Sequence, residues 1–319
     1  QDPGYAPQPF YWVAQTEVQA RLAAKWRACW LLAFRDITNA TNERTAIFSL
    51  LPRTGVGHKA PLVFLSRTYG VQLSACFLAN ANSLVFDYTT RQKLGGTSLS
   101  YFVLKQLPVP PPDTFTSSQV HCISPRVLEL VYTAWDIKPF ADDLWREADG
   151  ALKERLRQQW EENRAATGGH PWEPPEWAEI AADGTPLPPF RWDAERRAVL
   201  RAELDAPYAR LYGLTRKQLR YILDPHGLSD RELEDILDPW EDPTCAGPHL
   251  LPAQPTQDFP GETFRVLKEK ETAKYGEYPH PPPGAGGLGA AGGGAGSRGG
   301  AELPGDGGGG ARAGAGRHP

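Results

Sequence analysis

From Phe34 to Pro61 the chain reads FRDITNATNERTAIFSLLPRTGVGHKAP, a stretch that holds Arg35, Asn39, Asn42, Glu43, Arg44, Arg53, His58 and Lys59. Lysine and arginine neutralise phosphates; an arginine fork pairs with the edge of guanine and an asparagine amide with the edge of adenine, each through two parallel hydrogen bonds. These residue types fit a surface that reads nucleic acid. Arg35, Asn39, Asn42 and Arg44 are the candidates for base edges, while Glu43, Arg53, Lys59, Arg91 and Lys93 complete the set of DNA-binding candidates. Each residue also has an ordinary structural use, because Asn and Thr build turns and Glu43 can pair with Arg35 or Arg44 to hold a loop. The cluster therefore carries more weight than any of its members.

Other chemistries find little support. Cys29, Cys76, Cys122 and Cys245 stand far apart with no CxxC pair, so neither a zinc site nor a disulfide framework is expected, and no metal-binding residue is assigned. His121-Cys122 has no nearby acid or second histidine to make it a nucleophilic site. KEKE at 268–271 reads as the solvated face of a helix, with charges paired one turn apart, before it reads as a nuclease motif. No run of about 18 apolar residues and no charged leader with an apolar core occurs, so no membrane association is expected and the location read from this is cytoplasmic.

The net charge of −4 conceals a division. Residues 1–118 carry 11 Lys and Arg against 6 Asp and Glu, whereas residues 119–278 carry 20 against 30. A basic first part joined to an acidic second part suggests that the first part faces a polyanion.

The elements that must position the candidate loop follow from periodicity. Thr16 caps a short helix over EVQARLAAKW, and CWLLAFRDI, TAIFSLLP and PLVFLS are short apolar runs separated by TNATNER and RTGVGHKA, which predicts strands joined by polar turns. LSACFLANANSLVFDYTTRQK, residues 73–93, has Leu73, Cys76, Phe77, Asn80, Leu84 and Tyr88 at helical spacing. LGGTSLSYFVLKQLPVPPP, residues 94–112, then predicts a turn at Gly95-Gly96, a closing strand with Leu99, Tyr101 and Val103 on one face, and a stiff proline exit. Beyond it, Ser124-Pro125 reads as a helix start before RVLELVYTAW, and LWREADGALKERLRQQWEENRAA and ERRAVLRAELDAPYARLYGL read as long amphipathic helices. QLRYILDP and ELEDILDP repeat one pattern, two helical turns each stopped by proline.

The expected fold class is α+β: a mixed, strand-rich domain over 10–118, a mainly helical domain over 119–278, and a Gly-rich tail over 279–319 with too few large apolar residues to build a core. Back-translating PHPPPGAGGLG with GC-rich codons and reading one nucleotide later yields a helical-looking continuation, so the tail is expected to be either disordered or a frameshift product after Tyr278. The chain begins with Gln and contains no Met, which suggests a piece of a longer protein.

FRDITNATNERTAIFSLLPRTGVGHKAPLVF, together with FLANANSLVFDYTTRQKLGGTSLSYFVLKQLPVPPP, resembles the target-recognition region of large adenine-specific DNA methyltransferases of the type IIG restriction and related phage-defence kind. In that family a strand-rich DNA-reading module ends in a Leu-x-Asn-Ser helix, a Gly-containing loop and an apolar strand closing on Leu-Pro-x-Pro. SPRVLELVYTAWDIKPFADDL, PFRWDAERRAVLRAELDAPYARLYGLT and FPGETFRVLKEKETAKYGEY are similar to the helical C-terminal portion of the same proteins, so the resemblance covers most of residues 10–278. It implies double-stranded DNA as partner, an upstream catalytic domain, and S-adenosylmethionine as the cofactor of the full-length protein, which methylates an adenine flipped out of the duplex. The chain itself departs from the catalytic pattern. LPPF at 187–190 lacks the polar acceptor, DPW at 238–240 lacks a proline and EPPE at 173–176 lacks the aromatic, while no Gly-rich cofactor loop follows a strand. No catalytic residue is assigned, no cofactor is expected on this chain, and methylation by it alone is not expected. The competing expectation is a non-catalytic structural or protein-interaction module of a defence complex.

Overall fold

The computed structural model describes residues 2–6, 10–66 and 68–223, together with Ala273, of the 319-residue chain. The Gly-rich tail, Cys245, the second Ile-Leu-Asp-Pro copy and the KEKE stretch lie outside the described residues.

Three antiparallel strands form a sheet in the order β2-β1-β3: β1 is Trp30–Phe34, β2 Phe48–Pro52 and β3 Leu62–Val63. In register, Leu32 faces Leu50 on one side and Val63 on the other. All five residues of β1 are buried, as a central strand covered on both faces requires, whereas β2 alternates at its start. Around the sheet lie helices α1 (Gln15–Leu22), α2 (Val71–Ala81), α3 (Leu84–Lys93), α4 (Tyr101–Leu104), α5 (Ser117–Val131), α6 (Lys138–Glu147), α7 (Gly150–Thr167), α8 (Ala194–Leu211) and α9 (Arg216–Leu223). The described residues thus form an α+β fold.

Local capping explains where the helices differ from the periodicity reading. The 73–93 segment is two helices, because the Ser83 hydroxyl accepts from the Phe86 amide at 3.2 Å and starts α3. The long charged helix is likewise split at Asp149, whose carboxylate accepts from the Leu152 amide at 2.7 Å and starts α7. α5 begins at a Thr116–Gln119 capping box, not at Ser124, which places Pro125 inside the helix. α1 starts one residue before Thr16, with no side-chain cap.

The expected closing strand is reduced to a single bridge. Ser98 pairs with Ile37 and the Leu99 amide donates to the Asp36 carbonyl at 2.8 Å, after which Ser100 caps the single turn of α4. Tyr101 sits on this turn and donates its hydroxyl to the Leu62 carbonyl at 2.8 Å, so it braces β3 from outside the sheet.

The apolar core runs through the expected boundary at 118/119. Phe34, Leu50, Cys76 and Phe86 of the first part join Ile123, Phe140, Leu152 and Tyr208 of the second in one cluster. α2 packs on α5, and α5 on α7 and α8. The Tyr208 hydroxyl donates to the Cys76 carbonyl at 2.6 Å, and the Trp30 indole donates to Asp143 at 2.9 Å. Position 118 lies inside α5, and one apolar cluster holds residues from both sides of it.

Asp87 and Arg91 form an ion pair of 2.8 Å with fully buried side chains. Breaking such a pair strands a charge in the interior, so Asp87→Ala is expected to lower the unfolding free energy by about 3–5 kcal/mol in urea denaturation. A loss below about 1 kcal/mol would show that the pair is dispensable.

Candidate nucleic-acid interface

The 35–47 loop leaves β1 and returns to β2 through bonds that it makes to itself. The Asn39 amide oxygen accepts from the Thr41 amide at 2.9 Å and its hydroxyl at 2.8 Å, Thr45 donates its hydroxyl to the Asn39 carbonyl, and Thr38 donates its own to the Thr45 carbonyl. Asn42 donates to the Thr38 hydroxyl at 3.2 Å. Beneath the loop, Asp87 accepts from the Thr45 and Ala46 amides, both at 2.7 Å, while Arg91 donates to the Ala40, Asn42 and Glu43 carbonyls.

These bonds sort the residues singled out in the sequence. Arg91 is 3% exposed and all its donors face inward, so it positions the loop from below and offers nothing to a partner on the surface. Asn39 spends its amide oxygen on its own turn. Lys59 is paired with Asp36 at 3.2 Å; hydrogen bonds from Ser98 and Lys59 hold the Asp36 carboxyl below the usual range. Arg53 makes one long contact, 3.5 Å, to the Arg27 carbonyl. Lys93 is exposed at the end of α3.

Arg35, Asn42, Glu43 and Arg44 come together on one wall of a groove of about 750 Å³. The helical part contributes Trp192, Arg197, Arg201 and Asp205, and the apolar residues Ala46, Phe48, Leu78 and Val131 also line the groove. Four guanidinium groups and two carboxylates thus line the groove together with apolar side chains. One Nη of Arg44 is enclosed with no hydrogen-bond partner. Arg197 lies 3.6 Å from the centre of the Trp192 ring and donates to the Leu130 carbonyl at 2.8 Å, which fixes the stacked pair. Burial, with Arg201 close by, lowers the Arg197 pKa to about 10, so it keeps its charge at neutral pH.

Asp205 ties the groove to the other part of the chain. Its carboxylate accepts from the Leu84 amide at 2.7 Å, the first of α3's free N-terminal donors. Burial raises its pKa to about 6 despite the nearby Arg44. The residues that the sequence reading missed, Trp192, Arg197, Arg201 and Asp205, all belong to the acidic half, where net charge pointed away from an anion.

The described residues contain no cluster of His, Cys, Asp and Glu able to hold a metal, and no described helix is long and apolar enough to cross a membrane. Comparison with protein families, curated proteins and solved structures finds no match to this chain.

Because the folded state raises the Asp205 pKa from 3.8 to about 6, protonation stabilises the fold fully below pH 4, and that contribution is lost as pH rises through 6. Asp205→Asn keeps an acceptor for the Leu84 amide and removes the buried charge. Its stability relative to the parent protein is expected to rise by about 2 kcal/mol between pH 4 and pH 7.5 in denaturant titrations. A difference that does not change with pH would refute this account of the carboxylate.

Proposed function

We propose that this chain is the DNA-binding, sequence-specificity portion of an adenine-specific DNA methyltransferase of a restriction-modification or phage-defence system, acting in the cytoplasm. The observation that carries the reading is the convergence of Arg35 and Arg44 from the candidate loop with Arg197 and Arg201 from α8 on one groove. Paired with the resemblance of the surrounding segments to target-recognition regions, this cluster of cations supports binding of a phosphate-bearing partner. Double-stranded DNA is the partner; Arg53, Lys59 and Lys93 lie outside the groove as contacts to flanking phosphates. The methyl transfer, and S-adenosylmethionine with it, belong to an upstream catalytic domain.

A protein-interaction module is the second reading, and a separate observation favours it. Phe10, Tyr11, Trp12 and Val13 form a consecutive apolar run in which Phe10 is 90% and Trp12 77% exposed, an arrangement typical of a surface that another protein covers.

Salt dependence separates the two. The full chain is expected to bind duplex DNA at low salt, with log affinity falling linearly against log salt concentration. Arg35→Ala is expected to reduce the slope by about 0.9, the signature of one lost phosphate contact. Absence of duplex binding at low salt would remove the DNA reading and leave the interaction module.

A further inference from the structure

We propose that the arginine groove accepts an unpaired nucleotide, its base stacked on Trp192 and its phosphates held by Arg35, Arg44 and Arg201. This deepens the reading of the chain as a DNA binder and rests on it.

Shape supports the assignment. Base edges of an intact duplex are read by elements that protrude into its grooves, such as a helix or a two-stranded ribbon. Here the guanidinium groups line a concavity of about 750 Å³, the scale of a small-ligand site (about 300–1,000 Å³), too small to admit a duplex. A single extruded nucleotide fits that scale.

Chemistry supports it as well. Phosphates alone need only cations, yet the lining also includes the half-buried apolar side chains of Ile47, Leu130 and Val131, which suit the face of a base. At its edge Trp192 is 46% exposed and is held in place by the Arg197 guanidinium stacked on its ring. A cationic groove with an aromatic platform is the general solution for binding unpaired nucleic acid, because every base has a face that can stack. Among the described lining residues Arg35, Arg44, Arg197 and Arg201 outnumber Glu43 and Asp205.

The test uses the full chain and three labelled oligonucleotides of one sequence: a paired duplex, the same duplex with a single-nucleotide bulge, and the single strand. Fluorescence anisotropy at low salt gives the ratio of bulged to paired affinity for the parent protein, Trp192→Ala and Trp192→Phe, with circular dichroism to verify folding. The parent protein is expected to prefer the bulged duplex and the single strand. Trp192→Ala is expected to cut that ratio about tenfold to a hundredfold, and Trp192→Phe, which keeps a stacking ring, to retain most of it. Equal affinity for bulged and paired DNA, or an unchanged ratio in a folded Trp192→Ala protein, would overturn this proposal while leaving duplex recognition standing. Failure of the parent protein to bind any of the three would overturn the DNA-binding reading itself.

Discussion

Asp87 and Arg91 sit one turn apart on α3 with their side chains wholly removed from water, and the shape of the 35–47 loop depends on them. A loop of this kind has backbone groups that neither strand nor helix satisfies, and buried groups of that sort must find partners. The pair supplies them in both senses: the carboxylate takes the Thr45 and Ala46 amides, and the guanidinium takes the Ala40, Asn42 and Glu43 carbonyls. Each ion neutralises the other while its remaining hydrogen-bonding capacity fixes the chain. The consequence is that Arg35 and Arg44 project from a braced frame, and a braced frame is what makes an arginine selective instead of merely attractive.

A second carboxylate performs the same service between the two parts of the chain. Asp205 on α8 caps the start of α3, so the helix that carries the Asp87–Arg91 pair is anchored at one end to the helix that carries Arg197 and Arg201. Its raised pKa measures the cost: burial opposes the charge more strongly than the neighbouring guanidinium groups favour it. The cost brings a benefit in position. Both walls of the groove hang from α3, and a shift in one would be felt by the other.

Much of the frame was legible in the sequence, and the failures share a cause. WLLAF, FSLLP and LV fall inside the three apolar runs that predict strands, and the mark is strongest at WLLAF, the central strand buried on both faces. The helix breaks at Ser83 and Asp149 were hidden because apolar spacing continues across them, although both residues are good caps. Residues Leu99, Tyr101 and Val103 alternate like a strand, yet no neighbouring strand remains to pair with them beyond Ser98, so the chain turns into α4. At the site, Arg35, Asn42, Glu43 and Arg44 were visible as a local cluster. Arg91 was visible as a cation only; whether a cation faces water or carbonyls is decided by tertiary packing, which spacing does not encode. Trp192, Arg197 and Arg201 lie some 150 residues away, and nothing local ties them to the loop.

That last omission bears on how charge should be read. Residues 119–278 hold 20 basic against 30 acidic residues, and by that sum they should repel DNA. Yet charges on a solvated surface are screened beyond about 8–10 Å, so an anion in the groove responds to what lines it and hardly to the far faces of α6 and α7. Those faces keep their own pairs: Arg146 with Asp143 and Asp183, Arg157 with Glu154, Arg164 with Glu161. Arg196 is drawn onto the buried Glu129 at the same end of α8, which raises its pKa and closes it to other anions. The next residue, Arg197, and Arg201 a turn beyond it line the groove together with Arg35 and Arg44. An acidic helical part can therefore complete a cationic site, because neighbouring positions on one helix send their charges to different places.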